Sequence, residues 1–256
     1  MEIQKEYMAK LSELIRPKTF PIGIKLLKSA DEDYISKMEK VRRPKEEIAL
    51  CQLFSYARFY GWTILGTKED NLCPAGEVAL GFEKTPASMS SGAMFYGRYQ
   101  GSLGAAKKMS ETIPRIEEEE FSALLAAPLN RFKQDPDLVL IYGNSAQMMR
   151  LIHGSLWKDG GRLYFGSSGE AVCADSVAKT YITQKPQLGI PCYGERRFGL
   201  TGDDELVMGI PYKMMGDVIE GLEKTHKSGT RYPIPVQLST PKVFLMLKPK
   251  DKKPPL

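Results

Sequence analysis

The segment "DLVLIYGNSAQMMRLIHG", residues 137–154, sets the fold class. Leu138 to Tyr142 is an apolar, strand-forming run that ends at the turn Gly143-Asn144-Ser145. Met148, Met149, Leu151 and Ile152 then recur at helical spacing, so the segment reads as strand, turn and helix. Two later segments repeat that grammar: "GGRLYFGSSGEAVCADSVAKTY" (160–181) and "DDELVMGIPYKMMGDVIEGLEKT" (203–225). The echo between "LVLIYGNSAQMMRLI" and "LVMGIPYKMMGDVI" needs no duplication, because strand–turn–helix units share this pattern by physics alone.

Toward the N-terminus, Ile3, Tyr7, Leu11, Leu14 and Ile15 predict an amphipathic helix stopped by Pro17. "FPIGIKLLK" (20–28) follows as a strand, and the charged stretch 31–47 as surface. "EIALCQLFSYARFYG" (47–61) predicts a helix whose buried side carries Leu50, Leu53, Phe54 and Ala57. "WTILG" (62–66) reads as a strand and "DNLCPAGEVALGF" (70–82) as a turn into a short helix. Residues 91–116 predict strand character first, then a helix from Leu103 to about Met109. "FSALLAAPLNRF" (121–132) reads as a strand leading into a turn, and "PQLGIPCYGERRFG" (186–199) as a strand and loop. The sum is an α/β or α+β chain: a single mixed-sheet domain over 1–256 built from strand–turn–helix units. Any subdomains divide at 1–130 and 131–240, with a tail at 241–256.

Composition excludes several classes. The chain has 256 residues, 42% hydrophobic and 26% charged, as expected of a globular protein with a sizeable core. Its apolar runs fall far short of a membrane span, and the charged N-terminus has no secretory h-region, which leaves the cytoplasm as the default location. The net charge is +5, of which Lys248, Lys250, Lys252 and Lys253 against Asp251 supply +3 in a solvated tail. No basic stripe with interleaved aromatic platforms is present, so a nucleic-acid partner is not expected. The 12 methionines and 10 phenylalanines are compatible with a homo-oligomer without requiring one.

Candidate chemistry centres on the cysteines: Cys51, Cys73, Cys173 and Cys192. Twenty-one residues separate the first two and 18 the last two, so neither pair is the tight knuckle of a zinc ribbon or a bacterial ferredoxin. Pro74 follows Cys73 and Pro191 precedes Cys192, contexts that expose a thiolate and free backbone N–H groups for its sulfur. Cys173 falls at a helix start, where the dipole favours a thiolate, so it reads as nucleophile, ligand or small buried residue. For Cys51, on an apolar helix face, burial alone is the stronger reading.

Asn144 and Ser145 can present N–H groups to an anion or serve as a plain helix cap. The cap is favoured, since no glycine-rich phosphate motif accompanies them. Arg196 and Arg197 can clamp a carboxylate or pair with Asp203, Asp204 or Glu205. His153 and His226 lie near helix ends and support neither a Ser-His-Asp triad nor a zincin site. The run Glu117 to Glu120 reads as solvated surface, and the paired methionines as core filler.

Taken together, "PIGIKLL", "LCPAGEVALGF", "DLVLIYGNSAQMMRLI", "SSGEAVCADSVAKTY", "GIPCYGERRFG" and "DDELVMGIP" resemble the DUF169 family of bacteria and archaea, over residues 10 to 222. One departure is Ala75, which stands where the family pattern suggests a second glycine and bears on how closely a ligand approaches there. The resemblance implies that Cys51, Cys73, Cys173 and Cys192 belong to shared blocks, and so that they act together as metal ligands. A [4Fe–4S] cluster needs no tight motif, only a fold that gathers the loops; zinc satisfies the same count. The cluster is preferred because the loops are far apart and a structural zinc contributes least inside a large core. The expected function is an iron–sulfur protein with a small-molecule pocket, acting in redox or as a Lewis acid in the manner of an oxidoreductase or lyase. Its partner would be a small anionic substrate oriented by Asn144, Ser145 and Arg196, or a redox protein. The alternatives are a metal-free anion- or nucleotide-binding module and a transferase using Cys173 as nucleophile.

Overall fold

A computed structural model describes residues 2–28 and 32–235. The basic tail from Lys248 onward lies outside the described residues. The strands are β1 (Ile22–Leu27), β2 (Val41–Arg42), β3 (Thr63–Thr67), β4 (Ala123–Pro128), β5 (Leu138–Gly143), β6 (Gln187–Gly189) and β7 (Leu206–Pro211). They form one seven-stranded sheet in the order β2-β3-β4-β1-β5-β7-β6. Only β2 and β3 pair in parallel; β1 bonds antiparallel to β4 on one side and β5 on the other. The sheet is therefore mixed, and it joins strands from both halves of the chain.

The helices are α1 (Glu2–Leu14), α2 (Glu32–Ser36), α3 (Leu50–Tyr60), α4 (Pro74–Ala79), α5 (Ala87–Ser90) and α6 (Leu103–Thr112). After β4 come α7 (Ser145–Ser155), a π-helical turn at Ala174–Ala178, α8 (Lys179–Thr183), α9 (Tyr193–Phe198) and α10 (Met215–Lys227). No helix among the described residues is long and apolar enough to cross a membrane.

Strand alternation sorts side chains onto two faces. Val139 and Ile141 of β5, with Met208 and Ile210 of β7, pack against Leu11, Met148, Leu151 and Leu222 of α1, α7 and α10. Leu138, Leu140 and Tyr142, with Val207, face α3 and the π-helical turn. Two close approaches fix these layers. A Cβ on Gly221 would lie 2.5 Å from the Gly154 carbonyl oxygen, so α7 and α10 meet backbone to backbone. A Cβ on Gly209 would overlap the Ser176 carbonyl oxygen, so β7 lets the π-helical turn sit directly on the sheet.

Three local expectations are corrected. Residues 92–99 form no strand; they run through successive turns, with Gly92 and Gly97 in the left-handed region. Leu163 to Phe165 is not a strand either: Tyr164 is 78% exposed, and the stretch has no paired neighbour. Residues 193–198, read as loop, are the short helix α9.

Candidate functional site

All of Cys51, Cys73, Cys173 and Cys192 lie on the α3 side of the sheet, and all line one cavity of about 300 Å³. Each sits at the start of a helical segment. Cys51 is the second residue of α3, whose entry is fixed by the Ala49 N–H donating to Gln52 Oε1 at 2.8 Å. Cys73 caps α4; its N–H donates to Asn71 Oδ1 at 3.2 Å, and Pro74 supplies the first helical residue. Cys173 precedes the π-helical turn and follows Ala171, which is held at φ 51°. Cys192 caps α9. Ser55 Oγ donates to the carbonyls of both Cys51 and Gly199, tying α3 to the end of α9. Gly199 is needed there, because a Cβ would meet Glu195 O at 2.7 Å.

The free cysteines are only partly buried by surface area, because the cavity borders them, yet protein crowds each sulfur. Burial raises the pKa of each thiol. Cys73, Cys192, Glu195 and Cys51 raise Cys173 further by their charge, which marks them as close neighbours. Backbone N–H groups act in the opposite sense: those of Gly76 and Ala75 lower Cys73, and those of Glu195 and Val172 lower Cys192. Burial thus favours the neutral thiols, while those N–H groups favour the thiolates.

Behind the thiols lies a buried polar network that sequence reading misses. The Tyr142 hydroxyl donates to Glu195 Oε1 at 2.5 Å. The Arg58 guanidinium stands 3.9 Å from the Tyr142 ring centroid and pairs with Glu205 at 2.9 Å. Glu195 is 2% exposed, lines the cavity, and leaves Oε2 without a hydrogen-bond partner. Burial pushes its carboxyl up to about 7, opposed by the Tyr142 hydrogen bond and the Arg58 charge. At the exposed end, Arg98, Tyr99 and Glu170 line the same cavity. Burial lifts Glu170 to about 7 as well.

Asn144, Ser145 and Arg196 do not line this cavity. Asn144 caps α7, its side chain accepting from the Gln147 N–H at 3.0 Å, and Ser145 is the first residue of that helix. Arg196 donates to the Gly202 carbonyl. Glu205 pairs with Arg58 rather than with Arg196, and Asp204 pairs with Lys18 at 3.3 Å. His153, on α7, does not line the cavity. Among the described residues, no group of three or more His, Cys, Asp or Glu side chains is arranged to hold a metal ion.

A mixed-sheet α/β domain with four cysteines round a cavity on one sheet face is thus the class that fold and site define. The DUF169 family model, described as Uncharacterised ArCR, matches residues 10–221, and the chain belongs to that family. It is similar to "Uncharacterized protein MJ0308" of Methanocaldococcus jannaschii, 30% identical over 223 residues, covering 86% of this chain and 93% of that protein. No solved structure matches the chain.

Proposed function

We infer that Cys51, Cys73, Cys173 and Cys192 together hold a [4Fe–4S] cluster beside a small-molecule pocket. The observation that carries this reading is that four cysteines from four separate segments line one cavity. A zinc ion requires every sulfur about 2.3 Å from one point. A cubane cluster takes each thiolate on a different iron, so its ligands surround a volume rather than a point. Four cysteines from separate segments spread round a shared cavity fit the second pattern. The helix-start N–H groups suit the thiolates such a cluster needs.

When bound, the cluster would supply one-electron transfer, or a Lewis-acidic iron if one cysteine does not ligate. The chain's own residues shape what surrounds it. Phe54, Met94, Phe95 and Phe198 line the cavity with apolar surface and so restrict water there. Tyr142 holds Glu195 in place, and Arg58 fixes Tyr142 from behind. The test is anaerobic purification and reconstitution with iron and sulfide, followed by absorption spectroscopy and acid-labile sulfide analysis. A brown protein with a broad visible band and bound sulfide supports the reading. A colourless protein that retains neither iron nor sulfide after reconstitution overturns it, as does stoichiometric zinc that iron cannot displace.

A further inference from the structure

The cysteine cavity has two polar features that the thiols do not explain. Arg98 lines it from an exposed turn, its N–H donating to the Phe95 carbonyl at 3.2 Å. Arg98 forms no ion pair within 4.0 Å among the described residues; at the same end of the cavity its side chain hydrogen-bonds Tyr99 and its charge lowers the Glu170 carboxyl, so a ligand carboxylate would compete with Glu170 for it. Glu195 is the second feature: it is 2% exposed, and its Oε2 is buried with no partner while Oε1 is held by Tyr142. A buried acceptor without a partner costs about 1–3 kcal/mol, so it marks a place where a donor belongs. The same cavity has apolar walls that include Leu72, Met94, Phe95 and Phe198. The cavity of about 300 Å³ is lined by the four cysteines as well, so a ligand shares it with whatever they hold and must be small.

We propose that this cavity binds a small carboxylate whose far end carries a hydroxyl or amine, with Arg98 taking the carboxylate and Glu195 Oε2 accepting from the distal donor. The proposal rests on the cluster reading only in placing the ligand beside the four cysteines. It assigns the anion contact to Arg98, which the sequence pattern does not single out. Arginine suits that contact because its planar fork meets both carboxylate oxygens. Glu195 sets selectivity by the logic that a site built to hydrogen-bond a donor rejects the analogue lacking it.

The experiment is calorimetric titration of the full chain, anaerobically reconstituted and with iron measured on the same sample. The probes are 4-hydroxybutyrate, butyrate and 1,4-butanediol. The expected order has 4-hydroxybutyrate tightest, with butyrate and the diol each weaker by about tenfold, one charge-assisted hydrogen bond's worth. Arg98→Gln abolishes the advantage of 4-hydroxybutyrate over the diol. Glu195→Met removes the acceptor and abolishes its advantage over butyrate. Arg98 is on the surface, so its variant folds even where the buried Glu195 variant does not. Iron-loaded protein that binds all three probes equally, or not at all, overturns the carboxylate site and leaves the cluster reading standing. Iron-free protein that still binds 4-hydroxybutyrate in an Arg98-dependent way supports the site and overturns the cluster.

Discussion

The two faces of the sheet are built from the same strands and do different work. On one, β5 and β7 turn Val139, Ile141, Met208 and Ile210 onto α1, α7 and α10. Buried polar groups there are spent on structure: Gln147 Nε2 donates to the carbonyls of Ile15 and Arg16, and Arg150 donates to Leu222 O. On the other, the same β5 presents Leu138, Leu140 and Tyr142 to α3. There Tyr142 leads to Glu195, to a cavity, and to the four cysteines at helix starts. One face is closed by packing. The other is packed around a space that Glu195 lines, its Oε2 without a hydrogen-bond partner.

That contrast can be broken from either side. The largest effect is expected at Arg58, whose side chain is 0% exposed and pairs with Glu205. Arg58→Ala leaves that carboxylate buried and unpaired and removes the support behind Tyr142. It should destabilise by about 3–5 kcal/mol in urea unfolding. A loss below about 1 kcal/mol would mean the pair is not buried as described. Leu222→Ala, in the fully packed face, should cost about 2–5 kcal/mol while leaving iron bound per folded chain unchanged. Loss of iron in step with stability would show that the two faces are not separable. Asn144→Ala removes the α7 cap and should cost about 1 kcal/mol, with no change in carboxylate binding. Weaker carboxylate binding in that variant would give Asn144 a ligand role.

A pH dependence is expected on the cavity face alone. Glu195 is raised from 4.5 to about 7, chiefly by burial. A carboxyl raised in the folded state favours folding in full below its unfolded value and loses that contribution as pH climbs through the folded one. Metal-free wild type should therefore lose stability, relative to Glu195→Gln, between pH 4.5 and about 7. Thermal melts of both proteins across that range check it; parallel curves would contradict it.

The fold was legible where periodicity was long and clean. Leu11 and Leu14 in α1, the β5–α7 unit and the β7–α10 unit each show one face clearly, and the structure has them as expected. It was illegible where elements were short or where an apolar run found no neighbour. Six-residue α9 is too brief to show a helical period, and Tyr164 and Phe165 look like strand residues but stand exposed. The cysteines were legible as a set only through the shared family blocks, since their spacing matches no compact motif. Glu195 was hidden because its burial depends on Tyr142, 53 residues away, and on Arg58 of a different helix. Arg98 stood in a stretch misread as strand.

The central claim is that Cys51, Cys73, Cys173 and Cys192 act as one ligand set. Iron and sulfide per chain, measured anaerobically in the wild type and in four single Cys→Ser variants, test it most directly. The account predicts about four irons and four sulfides in the wild type. It predicts a marked loss in every variant, with the fold retained. A wild type without iron, or a variant that keeps the full complement after losing any one of these cysteines, would contradict it.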